Sequence, residues 1–214
     1  MIEALKKIKD YSDSLKLFDF ERLSRAFDFA KNHYEETEVA DFTFGLKVID
    51  KLVEFRPDED TLIAIMLYDL YVLEFLKDEN VQRDFGHDVL EILQNLKKLS
   101  SLHYAEYNKT SQAEVLRKMF LTMAKDIRVV IIWLAARLCQ LEEFGERDDP
   151  VAMRVAKETM HIYVPIAARL GIYRLKIQLE DLAFKYLDRT DYDSIKEQID
   201  SFSDQRRVAI DFMV

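Results

Sequence analysis

The chain has 214 residues, 49% of them apolar, and a formal net charge of −9, so it is long enough to bury a full core without disulfide staples. The acidic balance argues against nucleic acid as a ligand, because such a site needs a basic footprint that displaces counterions. It also disfavours an open site for a polyanionic small molecule, unless metal or local Arg and Lys reverses the field.

Only 4 Gly and 3 Pro occur, which leaves little room for hairpins or long loops. With Leu, Lys, Glu and Ala abundant, the chain reads as an all-α fold, a compact bundle of about nine to ten helices. The first clear helix is Phe20 to Tyr34, with an apolar stripe at positions 20, 23, 26, 27 and 30. Phe44 to Phe55 follows. Pro57-Asp58 then opens a new helix, since proline suits a first turn and aspartate caps it. Its body, TLIAIMLYDLYVLEFLK, is apolar nearly all round, as a central core helix is.

Gly86 marks a break, and His87 to Leu99 resumes the helical stripe. Residues 100 to 109 read as a polar loop, Ser111 to Lys125 as a helix, and Ile127 to Phe144 as a second buried one. A charged turn, Gly145 to Asp149, leads to Pro150. Val151 to Leu170 is a long helix with an expected kink at Pro165, and Gly171 stands where a C-terminal stop belongs. Leu175 to Leu187 and Tyr192 to Phe202 complete the series.

The longest apolar run, Val129 to Ala136, has eight residues, whereas spanning a bilayer takes about 20. The N-terminus MIEALKKIKDYSDSLK lacks the apolar segment of a signal peptide. The single Cys139 sits inside an apolar run and reads as an inert core thiol in a reduced, cytoplasmic setting. Trp133 reads as core, and no membrane or nucleic-acid partner is expected.

The segments KMFLTMAKDIRVVIIWLAARL and AKETMHIYVPIAARLGI, with LEDLAFKYL after them, resemble the hydrolase domain of the RelA/SpoT family, which makes and degrades (p)ppGpp. DTLIAIMLYDL and DFGHDVLEILQNLKKL extend the resemblance to about residues 20 to 190, in the family's order and spacing. The resemblance implies an HD-type metal enzyme. A His before one helix, a His-Asp pair in the next and an Asp on a later helix would hold a manganese ion that activates water against a 3′-diphosphate.

By register, those positions hold Phe44, Tyr68-Asp69 and Ala136, so one ligand of four, Asp69, is kept. The family's water-positioning Glu-Asp pair falls at Val72 and Leu73, and the Asn after its LADRLH segment at Gln140. Its basic nucleotide-contacting loop falls at Glu35-Glu36-Thr37-Glu38, where attraction for a polyanion becomes repulsion. One carboxylate cannot fix a catalytic divalent ion, so no metal, no cofactor and no catalytic residue are expected. The apolar replacements are expected to fill the former cavity, with Phe44 and Tyr68 as the main plugs.

Blander readings compete at other positions. His87-Asp88 is a literal HD dipeptide, but it sits at a helix start, where Asp88 suits the dipole. His33, His103 and His161 share no ligand spacing. Arg137 and Arg169 are candidate phosphate or nucleotide contacts; the alternative is an internal ion pair with Asp126, Glu158, Glu180 or Asp181. Tyr68, Tyr71 and Phe75 read as core rather than as a base-stacking platform.

The resemblance therefore implies a degenerate hydrolase domain over residues 1 to 190. Residues 191 to 214 would begin a helical linker toward a (p)ppGpp synthetase domain that this chain does not contain, as in the N-terminal piece of a longer enzyme. Its partner would be that synthetase domain, and its role regulatory or structural. Two alternatives stand beside this reading. One is an active pyrophosphohydrolase whose ligands are rearranged around Asp69 with Glu74, His33 or Glu143. The other is a sensor that binds guanine nucleotide without cleaving it.

Overall fold

A computed structural model describes residues 20–37, 42–105, 126–145 and 149–199. Among these there is no β-strand. The helices are α1 (Phe20–Thr37), α2 (Phe42–Leu52), α3 (Glu59–Val72), α4 (Asp78–Phe85), α5 (His87–Ala105), α6 (Ile127–Glu143), α7 (Pro150–Glu158), α8 (Val164–Arg169) and α9 (Tyr173–Leu187). A further helix, α10, covers residues 189–199. The helix expected at Ser111 to Lys125 lies outside the described residues. The backbone divides into two compact units, Met1–Cys139 and Gln140–Val214.

In the first unit α3 is the centre, packed by α1, α2 and α5. Leu62, Ile63, Ala64, Ile65, Met66, Leu67 and Leu70 are all buried, as the all-round apolar sequence predicts. Asp58 caps α3: its carboxylate accepts from the Thr61 amide at 2.8 Å. The predicted helix through Lys77 stops instead at Val72. Glu74 takes a left-handed φ of 66°, and the amides of Phe75 and Leu76 turn back to the Leu70 carbonyl at 2.9 and 3.2 Å. Residues 78–85 then form α4, which hydrophobic periodicity alone did not separate. Asp78 ties this turn down, accepting from the Tyr71 hydroxyl at 2.7 Å and from the Gln94 amide at 2.8 Å.

Gly86 ends α4 with φ 99°, a conformation that other side chains rarely adopt. Beside it the Arg22 guanidinium reaches the Phe85 carbonyl and pairs with Glu59 at 2.8 Å and Asp60 at 2.7 Å. This joins α1 to the first turn of α3 and to the α4–α5 corner. α5 runs on to Ala105, so residues 100–105, predicted as loop, are helical. In α6, Trp133 and Cys139 are buried, at 9% and 0% exposure. At its start Asp126 accepts from the Arg128 amide at 2.9 Å.

In the second unit Asp149 caps α7 through the Val151 amide at 2.7 Å, with Pro150 in the first turn. The irregularity expected at Pro165 takes the form of a π-helical turn, Thr159–Tyr163, just before it. Proline has no N–H, and its ring crowds the carbonyl four residues back, so a widened turn relieves both. Gly171, at φ 71°, ends α8 as its position predicts. α9 buries Leu175, Leu179 and Ala183. The Tyr186 hydroxyl lies 2.9 Å from the Leu141 carbonyl and 2.8 Å from that of Gly145, satisfying groups that the end of α6 leaves open. Tyr192 of α10 sits edge-on to Phe184, while Ile195 and Ile199 are exposed.

Candidate functional site

The position where the family's paired ligands would stand lies in the second half of α3. Successive helical residues point about 100° apart, so Tyr68 and Asp69 face different neighbours. Asp69 meets α1: the Tyr34 hydroxyl donates to its Oδ2 at 3.5 Å, the long end of the hydrogen-bonding range. Tyr68, on the neighbouring face, is half-buried. Tyr34 is 7% exposed and packs its ring on Phe42 of α2, centroids 5.1 Å apart. Phe42 in turn lies 5.3 Å from Phe27 of α1.

Burial pushes the Asp69 carboxyl above the usual carboxylate range, and the Tyr34 hydroxyl offsets only part of that. Burial, then the neighbouring Asp69 charge, raises the Tyr34 phenol in its turn. The Tyr68 phenol is also raised, by burial first and by the Asp69 charge after it. Both phenols are therefore neutral at physiological pH.

The other matched positions are apolar or neutral, with different exposures. Phe44 is half-buried on α2, where a Cβ on the neighbouring Gly45 would make an ordinary 3.5 Å contact with the Ile65 carbonyl of α3. Ala136 and Gln140, four residues apart on α6, are half-buried, and so is Val72. Leu73 is 46% exposed. Phe44 and Tyr68, expected as the main plugs, are thus half-buried, and Leu73 stands at the surface because α3 ends beside it. The aromatic packed against Asp69 is Tyr34, which the sequence reading left unassigned. Its signal was its place on the α1 stripe, since a buried tyrosine needs a partner for its hydroxyl.

Residues 35–37, read as part of a loop, belong to α1. Glu35 is exposed and pairs with Lys31 at 3.7 Å, and Glu38 lies outside the described residues. Phe75, read as core, is 44% exposed, whereas Tyr71 is buried. His87 and Asp88 are both exposed on the first turn of α5. His33 stacks on Phe29 with centroids 4.0 Å apart, and the His161 ring nitrogen lies 2.6 Å from the Lys157 carbonyl. Arg137 is 3% exposed, whereas Arg169 is exposed at the end of α8. Of the acids considered as their partners, Asp126 is held by Arg128 at 2.7 Å and Glu180 by Lys176 at 2.7 Å.

Among the described residues no three His, Cys, Asp or Glu side chains come together as a metal site would require. Among the described residues Asp69 has neither the number nor the spread of fellow donors to fix a divalent ion, so these residues do not fit manganese.

The profile of the HD-domain family matches residues 23–173, and the chain belongs to that family. Within it the chain is of the RelA/SpoT hydrolase-domain type. It is 34% identical over 180 residues, 82% of its length, to a guanosine-3′,5′-bis(diphosphate) 3′-pyrophosphohydrolase of Aquifex aeolicus, covering 25% of that protein. It is 35% identical over 159 residues, 74% of its length, to the bifunctional (p)ppGpp synthase/hydrolase SpoT of Escherichia coli, covering 22% of it. A probable guanosine-3′,5′-bis(diphosphate) 3′-pyrophosphohydrolase of Synechocystis is 37% identical over 142 residues, 66% of this chain and 19% of that protein. The chain thus spans about a quarter of the length of these relatives. Among the described residues no helix is long and apolar enough to cross a membrane.

Proposed function

We propose that this chain is a (p)ppGpp-hydrolase-type domain that no longer hydrolyses the alarmone. It would act as a regulatory or structural module toward a (p)ppGpp synthetase domain, in a reduced, cytoplasmic setting. The observation that carries this reading is Asp69. It is the one carboxylate left at the matched ligand positions, and its near neighbour is the Tyr34 hydroxyl rather than a second ligand. Metal-activated water needs several converging donors, and a lone carboxyl does not supply them. A domain without turnover still influences a neighbour when it favours one of two domain arrangements.

An active hydrolase with rearranged ligands would need Asp69 to converge with Glu74, His33 or Glu143. Glu74 instead pairs with Lys97 at 3.6 Å, and His33 stacks on Phe29. A guanine-nucleotide sensor using Arg137 and Arg169 draws little support from Arg137, whose side chain is buried.

The test is incubation of the purified chain with ppGpp and manganese, following diphosphate release. No release above the protein-free control is expected. Manganese-dependent release that disappears on chelation would overturn the proposal.

A further inference from the structure

We propose that Tyr34, Phe42 and Asp69 form a cation-free clamp that holds α1 and α2 on α3, so that the chain reaches full stability with no divalent ion. The inference rests on the reading above that the ligand set is gone, and it adds what took its place. A metal bound by residues on separate helices cross-links them, so losing it leaves both a gap and an unpaired carboxylate.

Here one carboxylate of α3 begins a run of contacts through α1 and α2. Asp69 takes the Tyr34 hydroxyl of α1 at 3.5 Å. Tyr34 carries Phe42 of α2 on its ring, with centroids 5.1 Å apart, and Phe42 returns to Phe27 of α1 at 5.3 Å. The ring cluster excludes water from one flank of Asp69: Tyr34 is 7% and Phe27 8% exposed.

The contact suits both protonation states of Asp69. The ionised form accepts from Tyr34, and the neutral form can accept or donate. Burial raises the Asp69 carboxyl, in keeping with a group whose surroundings do not demand its charge. Asp69 is in this account a positioning residue, not a ligand.

Thermal unfolding of the full chain tests the clamp, with a double-mutant cycle between Tyr34→Phe and Asp69→Ala. The midpoint is expected to be the same in EDTA and in millimolar manganese chloride. Tyr34→Phe is expected to lower it by roughly 2–4 °C in the native chain and by less than half of that in the Asp69→Ala background. Asp69→Asn, which keeps an acceptor for Tyr34, is expected to leave the Tyr34→Phe effect intact. A manganese-induced rise of several degrees that Asp69→Asn abolishes would overturn the clamp, as would strict additivity of Tyr34→Phe and Asp69→Ala. Such a rise without ppGpp hydrolysis would remove the clamp alone; hydrolysis would remove the functional reading.

Discussion

Arg128 of α6 and Asp58, the cap of α3, meet at 2.7 Å although 70 residues separate them. The same carboxylate receives the Thr61 amide and hydroxyl, so one side chain both starts the central helix and ties a distant one to it. Burial works against the charge of Asp58, but the Thr61 bonds and Arg128 outweigh it and hold the carboxyl below its usual range. Removing it with Asp58→Ala is expected to cost about 1–2 kcal/mol, mostly the lost cap with a smaller share from a partly exposed ion pair. Asp58→Asn, which still caps, is expected to cost less. A depressed carboxyl stabilises the fold above its unfolded value, about 4, and loses that contribution as pH falls through the folded value. Urea titrations between pH 3 and 7 should therefore show a flatter acid limb for Asp58→Asn.

Asp69 has the opposite sign. Its raised carboxyl favours the neutral form in the fold. That contribution is whole below the unfolded value of about 4 and is lost as pH rises through the folded one. Asp69→Asn, neutral at every pH, is expected to remove this decline and to match or exceed the native chain in stability at pH 7. Denaturant midpoints at pH 4 and pH 7 check it. A loss at pH 7 larger than at pH 4 would show that the charge of Asp69 is needed.

Tyr71 fixes the bend after α3 through its bond to Asp78 at 2.7 Å. Tyr71→Phe keeps the buried ring and loses this bond, and is expected to cost about 1–2 kcal/mol. Hydrogen exchange at the Phe75 and Leu76 amides should quicken more than exchange in the body of α3. Burial, then Asp78, pushes the Tyr71 phenol up to about 12. The native stabilisation should persist below pH 10, the ordinary phenol value, and fade as pH rises through about 12.

Tyr186→Phe removes the hydroxyl that closes the carbonyls of Leu141 and Gly145. The edge contact of ring 186 with Phe144, centroids 6.2 Å apart, should survive. The expected loss is about 1 kcal/mol, seen as faster amide exchange at the end of α6.

Much of the architecture was legible because it is written in spacing and punctuation. Asp58, Pro150 and Gly171 stand at helix ends for reasons local to them, and the all-round apolar Thr61–Leu70 stretch announced a central helix. The break at Glu74 was hidden, because its left-handed backbone has no glycine to mark it and α4 is short. The continuation of α5 through residue 105 is hidden because Ser100 and Ser101 read as polar loop, although both lie in the helix. At the candidate site register alone picks out Asp69 and the residues at the matched positions. It does not give the surroundings of Asp69: Tyr34 reaches it across 35 positions, a contact set by how α1 lies on α3. Nor did charge pattern reveal the Arg22 and Arg128 networks, since every arginine on a helix looks alike until its neighbours are known.

The lone tryptophan of the chain gives these measurements a built-in reporter. Trp133 is 9% exposed within α6, so its indole emits from an apolar environment while that helix stays packed and shifts to the red when water arrives. No other residue competes at that excitation edge. Each substitution above can therefore be followed by intrinsic fluorescence, with no label attached to the protein.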